Sequence, residues 1–410
     1  MHRSIGEIDY IPALTVFSMI CEDFAFDSKC SNRLLRCKLT TLSFMTKLAP
    51  DRAPESRMNV PASQFIQHAG LHAQPFLAAD VGGTHARVAL LRASPGAGNE
   101  IEILAYRKCT CADFPGLPEL LQAFVASDAT LPVRRCVIAC AGQVVGDVIV
   151  NDNLAWRVSL SALREALAFD EVALLNDFEA LGYALDNVRD TDSLLLCGPA
   201  THTEGPALVV GPGTGLGAAV RLPGNRGARV LATEAGQMDL APGTAREREV
   251  LARLAPGDGY VPYERVLSGP GLLTLYTTLR ALRSQSPNLV TPEAVTAAAC
   301  ADSDPAAVET VEIFCALLGG FVGNLAMAFV AEGGVYLAGG VLPQIRELLQ
   351  RSHFVERFLS KGGMREFLLR VPVRLIEHGR HGVLGAAHWY LDRPLQGAAR
   401  RRVHGDGAAT

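Results

Sequence analysis

FLAADVGGTHARVALL (76–91) decides the fold. An apolar run, a Gly-Gly-Thr turn and a second apolar run, RVALL (87–91), predict a buried strand that turns on glycine and returns as its own neighbour. A third strand near 101–108 extends this meander. About 130 residues later the device recurs in ALVVGPGTGLGAAVRL (207–222): apolar strand, glycine-rich turn carrying a threonine, returning strand. Two copies predict a duplicated α/β architecture with a cleft between the halves.

Working outward, the first half continues with a helix near 117–126, a strand at 135–140, a helix near 160–168, a strand at 172–175 and a helix from Phe178. Strands alternating with helices indicate a largely parallel, layered sheet. The second half is richer in helices, near 244–254, 270–283, 292–300 and 305–331. A strand at 334–340, a helix from Leu342, a strand near 372–376 and a last helix near 383–391 complete it. The expected division is a small α/β domain over 75–187 plus 380–395 and a large α/β domain over 188–379. Residues 1–74 lack a clean helix or strand period and read as an N-terminal extension, disordered or ahead of a true start at Met58; 396–410 read as a flexible tail.

Composition narrows the function. A 410-residue chain with 49% apolar residues buries a large core, and 38 basic against 42 acidic side chains leave a net charge of −4. No global basic field is present to hold nucleic acid or an anionic membrane, so a small-molecule partner is expected. Ten scattered cysteines, several inside apolar strands such as CVIAC (136–140), point to reduced thiols in the cytoplasm. No spacing of cysteines or histidines suits a metal cage. The stretch 313–331 is long and apolar enough to span a membrane, yet acidic flanks and Gly319, Gly320 and Gly323 favour a helix buried between domains.

Glycine turns after strands let backbone amides approach phosphate oxygens. The kind of turn excludes two common readings. A dinucleotide fingerprint would need glycine at 216, which is Leu216, and a Walker loop would need a Gly-Lys dipeptide, which the chain lacks. What remains is strand-turn-strand on both halves, suited to holding a nucleoside triphosphate from two sides.

DVGGTHAR (80–87), LLNDFEALGYA (174–184), GPGTGLG (211–217), TEAG (233–236), ERVLSGPGLLTLY (264–276) and GGVYLAGGVLP (333–343) occur in this order. Together they resemble the bacterial glucokinase family, within the sugar kinase, actin and Hsp70 superfamily, over about residues 76–391. The resemblance implies a duplicated actin-like, ribonuclease H-like two-domain sugar kinase fold with an interdomain cleft. It also implies ATP-dependent phosphorylation of glucose to glucose 6-phosphate at the start of glycolysis, Mg²⁺ as the metal, and a homodimer.

Position by position, the resemblance implies that Asp80 holds Mg²⁺ through water and lies, with Gly82, Gly83 and Thr84, at the ATP phosphates. Gly213, Thr214 and Gly215 would clasp them from the other domain, and Gly339 and Gly340 would lie against the adenosine. Asn176 and Asp177 match the pair that binds the hexose, with Asp177 as catalytic base. Glu234 and Glu264 match glutamates that bind sugar hydroxyls, and Gln237 belongs to the same segment.

The chemistry suits these residues independently. Phosphoryl transfer needs in-line positioning, charge neutralisation and an acceptor for the hydroxyl proton, which a carboxylate at a strand end can be. Two further carboxylates suit a polyol, whose hydroxyls are donors. Two positions depart from the family pattern: His85 replaces the usual Asn, and Gln237 replaces the usual His. Glutamine donates and accepts like neutral imidazole but never becomes a cation, which points to altered hexose selectivity. The alternatives are a kinase for another hexose or amino sugar, and a catalytically weak sugar-sensing regulator on the same fold. Asp177 can also be read as a helix cap and Asp80 as a turn carboxylate.

Overall fold

The computed structural model describes residues 74–94, 100–129, 131–150, 156–201, 203–224, 227–257, 259–376 and 379–393. The expected extension up to residue 73 and the tail at 396–410 lie outside the described residues.

In the first half the strands are β1 (Phe76–Val81), β2 (His85–Ala93), β3 (Ile101–Thr110), β4 (Arg135–Cys140), β5 (Gln143–Val145), β6 (Val148–Val150), β7 (Val158–Ser159) and β8 (Glu171–Leu175). The second half has β9 (Ser193–Cys197), β10 (Ala207–Pro212), β11 (Leu216–Leu222), β12 (Arg229–Thr233), β13 (Gly334–Leu337) and β14 (Val373–Ile376). Helices of the first half are α1 (Leu117–Asp128), α2 (Leu160–Leu167) and α3 (Asp177–Ala184). They are followed by α4 (Ala245–Leu254), α5 (Gly269–Leu282), α6 (Pro292–Cys300), α7 (Pro305–Ala328), α8 (Arg346–Arg351), α9 (Phe354–Leu359), α10 (Arg365–Leu368) and α11 (His381–Asp392).

The duplication is explicit in the topology. One sheet runs β3-β2-β1-β4-β8, with an antiparallel meander on one side of β1 and parallel strands on the other. The second runs β12-β11-β10-β13-β14-β9 and repeats that order and those directions before adding β9 as an antiparallel edge. This is the actin-like, ribonuclease H-like arrangement in duplicate. The added β9 and a small β5-β6-β7 sheet were not expected from the sequence.

Burial explains why β1 and β10 read as unbroken apolar runs. Leu77, Ala79 and Val81 enter one core while Phe76 and Ala78 enter another, so β1 is covered on both faces. Likewise Leu208 and Val210 point into one core, and Ala207 and Val209 into another. The outer faces are covered by α1 and α2 on the first sheet and by α5, α6, α7 and α9 on the second.

The inner faces share α3. Its Ala180 joins the core of the first sheet and α11, whereas Phe178, Leu181 and Tyr183 pack against the second sheet. The α3–α11 crossing is so close that a Cβ on Gly385 would overlap the Ala180 carbonyl. A chain that begins α3 at the end of one sheet therefore carries the helix's first residues to the other.

Helix α7 meets the length test for a membrane span, but its sides are mostly buried. It lies in the core of the second sheet rather than between domains, because Leu317, Leu318, Phe321, Val322 and Leu325 pack among α5, α6 and α9. Its N-terminus is capped by Asp304, which accepts from the amides of Ala306 and Ala307 at 2.7 and 3.1 Å.

Candidate active site

The β1–β2 hairpin fixes the first carboxylate. Residues equidistant from its turn face each other, so Asp80 lies opposite Arg87 and the two form an ion pair at 3.3 Å. Burial pushes the Asp80 carboxyl above its ordinary value, an effect that the Arg87 guanidinium only partly offsets. The turn is held from below by Cys111, whose amide donates to the Thr84 carbonyl at 2.9 Å and whose thiol lies 3.4 Å from the Gly82 carbonyl. Thr84 is exposed at the tip, with Gly82 and Gly83 half-buried beside it.

The strand β8 ends at Leu175 and α3 starts at once, which puts Asn176 and Asp177 at the joint. Asn176 is the helix cap: its Oδ1 accepts from the amides of Phe178 and Glu179 at 2.9 and 3.0 Å. Asp177 is therefore not needed as the cap, although its Oδ1 also accepts from the Phe178 amide at 3.0 Å. Burial, reinforced by the negative charges of Asp80 and Glu234, pushes the Asp177 carboxyl up to about 6. Asp80 and Glu234, both distant from Asp177 in the chain, thus lie near enough for their charges to act on it. Cys140, at the end of β4, sits in the wall beside Asp177 and Asp80, and its thiol is pushed up to about 12, chiefly by burial.

The second half supplies the facing wall. The Gly213 amide donates to the Gly215 carbonyl at 2.8 Å, closing the β10–β11 turn with Thr214 exposed at its tip. Gly339 adopts φ +94, and a Cβ there would overlap the Pro212 carbonyl, so the 338–340 segment lies directly against the end of β10. Gly340 faces open space. Glu264 joins the remaining parts, since its Oε2 accepts from the Leu216 amide at 2.7 Å and its Oε1 from Gln237 Nε2 at 3.0 Å. Tyr260 donates its hydroxyl to the Gln237 carbonyl. Glu234 lies exposed at the end of β12.

Three residues went unnoticed in the sequence. Arg87 was readable from the hairpin register. Tyr260 and Cys111 carry no local signal, because each reaches the site only through tertiary pairing.

The family model for glucokinase matches residues 77–393. The chain belongs to the glucokinase family. A glucokinase-like protein of Xylella fastidiosa is 48% identical over 319 residues, covering 78% of this chain and 95% of that protein. The glucokinase of Yersinia pestis is 35% identical, covering 78% of this chain and 97% of its own. Among solved structures, a glucokinase from an Antarctic psychrotroph aligns with a TM-score of 0.67 and 31% identity, over 77% of this chain and 98% of that one. Every candidate site residue of this glucokinase-family chain, from Asp80 to Gly340, lies inside the matched span.

Proposed function

We propose that the protein transfers the γ-phosphoryl group of ATP to the 6-hydroxyl of glucose, with Asp177 as the base. The observation that carries this reading is the environment of Asp177: a half-buried, poorly solvated carboxyl with two acidic neighbours, pushed up to about 6, which lets it take a proton near neutral pH. Asn176, Glu234, Gln237 and Glu264 would bind the hexose hydroxyls, with Asn176 Nδ2 available because only its oxygen serves the cap. Gly82, Gly83 and Thr84 would meet the phosphates from one side and Gly213, Thr214 and Gly215 from the other, with Gly339 and Gly340 beside the adenosine.

Magnesium fits as a counter-ion of the phosphates rather than as a caged ion. Among the described residues no group of three or more His, Cys, Asp or Glu could hold it, and Mg²⁺ commonly keeps several waters while touching one or two carboxylates. Asp80, whose half-buried charge Arg87 compensates only in part, would hold it through water. When bound, it would neutralise charge developing on the transferred group.

The two sheets with their own cores support a small domain over 75–187 plus 380–395 and a large one over 188–379, with ligands in the cleft between them. We further infer a cytoplasmic homodimer without nucleic-acid or membrane partners. The second reading, another hexose or an amino sugar, is favoured by Gln237 where the family usually has histidine. A coupled assay with ATP and a panel of glucose, mannose, fructose and glucosamine tests both readings. Highest kcat/KM with glucose is expected; a preference for another sugar supports the second reading, and no turnover with any sugar overturns both.

The pH dependence has a definite sign. Asp177 accepts a proton only when ionised, so kcat/KM should fall about tenfold per unit as pH drops below about 6. Asp80→Asn removes a negative neighbour that now raises the Asp177 value, so the acid limb should move to lower pH even though turnover also falls. A limb that stays in place, or moves up, would detach it from Asp177.

A further inference from the structure

The inner face of the first sheet ends in basic side chains that the proposed chemistry leaves unused. Alternation along β2 sends Ala86, Val88 and Leu90 into the outer core and Ala89 into the inner one, so His85 and Arg87 lie on the inner face, where Arg87 meets Asp80. In β3, Tyr106 packs on the inner core while Cys109 enters the outer one, which puts Lys108 on the inner face too. The register sets Lys108 opposite Arg87 and Thr110 opposite His85. His85 also closes the β1–β2 turn, its carbonyl accepting from the Gly82 amide at 3.0 Å. The residue is half-buried, Lys108 is exposed, and the Arg380 guanidinium lies over the Tyr106 ring at 5.0 Å.

We propose that His85 binds the phosphates of the nucleotide as an imidazolium and takes up a proton from solvent when the nucleotide arrives. This rests on the kinase reading of the site. The charged groups on this face are Asp80 of β1, Arg87 of β2, Lys108 of β3 and, further along at the start of α11, Arg380. The one carboxylate among them is already answered by Arg87, so the surroundings of the imidazole are net positive and call for an anion. In the free protein, partial burial and then the positive charges of Lys108 and Arg87 hold the imidazole below its ordinary value, which leaves it largely neutral at pH 7. Phosphate oxygens laid against the turn reverse that balance, because they supply the opposite charge that the ring lacks. The asparagine usual at this position offers a neutral amide and no such proton.

Calorimetry reads the proton directly. The full chain, titrated at about pH 7 with a non-hydrolysable ATP analogue and Mg²⁺ in buffers of different ionisation enthalpy, should take up about half a proton or more through His85 for each analogue bound. His85→Asn should still bind the analogue but take up about half a proton less, and its affinity should tighten less than that of the wild type as pH falls from about 8 to about 6. Asp80 and Asp177 also gain protons more readily beside a phosphate, so the difference between the two proteins is the measure rather than the total. A merely structural role for His85 would weaken the analogue at every pH and leave the uptake unchanged. Nuclear magnetic resonance gives a second reading on the wild type: the histidine ring signal missing from His85→Asn should titrate below the ordinary imidazole value in the free protein and above it with the analogue bound.

Equal proton uptake in the wild type and His85→Asn overturns the proposal, as does a ring signal whose titration the analogue leaves in place. If glucose is phosphorylated while either result holds, the role of His85 fails alone and the kinase reading stands. If the analogue does not bind and no sugar is turned over, the kinase reading fails and the role of His85 with it.

Discussion

Asp177→Asn is expected to cut turnover on glucose by about a hundredfold or more, the scale associated with loss of a general base, while glucose affinity stays within about tenfold. A hundredfold loss corresponds to about 2.7 kcal/mol of transition-state stabilisation. The separation of the two effects follows from the geometry. The carboxamide retains an oxygen to accept from the Phe178 amide, and Asn176 rather than residue 177 caps α3, so the helix start should survive the change. What is lost is the capacity to take the sugar's proton. Removing a half-buried charge near Asp80 and Glu234 also relieves repulsion, so the variant should melt no lower than the wild type. Steady-state kinetics, glucose calorimetry and thermal denaturation together check this. Near wild-type turnover would remove Asp177 from the base role, and a large fall in melting temperature would show that the carboxylate has a structural task.

Much of this site was legible in the sequence because its parts are local. FLAADVGGTHARVALL and ALVVGPGTGLGAAVRL each contain a strand, its turn and its return, so the meander, the duplication and the placement of Asp80 and Thr214 at strand ends follow from a period and a glycine turn. Asp177 stood at a strand-to-helix joint for the same reason. What could not be read lies in contacts between elements distant in the chain. Strand β9 is an edge strand of half-buried residues whose partner, β14, comes about 180 residues later. Helix α7 is apolar on nearly every side, and periodicity alone does not tell a helix enclosed by its own lobe from one between lobes. Read from the sequence, a possible α3 cap falls one residue late, at Asp177, because Asn and Asp are both good capping residues; the hydrogen bonds assign it to Asn176. The small hairpin at 143–150 did leave a signal, Val-Gly-Asp-Val, with Gly146 at φ +66 and Val145 facing Val148.

The long-range contact with the greatest consequence joins Phe178 to Gly217. Phe178 follows Asp177 directly, and its ring lies so close over Gly217 of β11 that a Cβ there would overlap the ring. Through this contact the first turn of α3 sits against the strand returning from the β10–β11 turn, so Asp177, the proposed proton acceptor, and the backbone proposed to bind phosphate are held in register. Gly217→Ala should force the ring, and with it residue 177, away from its place, at an overpacking cost of about 1–3 kcal/mol. Turnover should fall about tenfold or more, because a displacement of roughly 1 Å at reacting groups can cost about a hundredfold, and the melting temperature should fall with it. The explanation is steric, so it can be relieved sterically. Adding Phe178→Ala to Gly217→Ala removes the ring that the new methyl meets, and the double variant should recover stability relative to Gly217→Ala alone, a non-additive result measurable as a double-mutant cycle. Strict additivity of the two losses would show that the strain introduced at 217 falls on some neighbour other than Phe178, and that the ring does not set the position of Asp177.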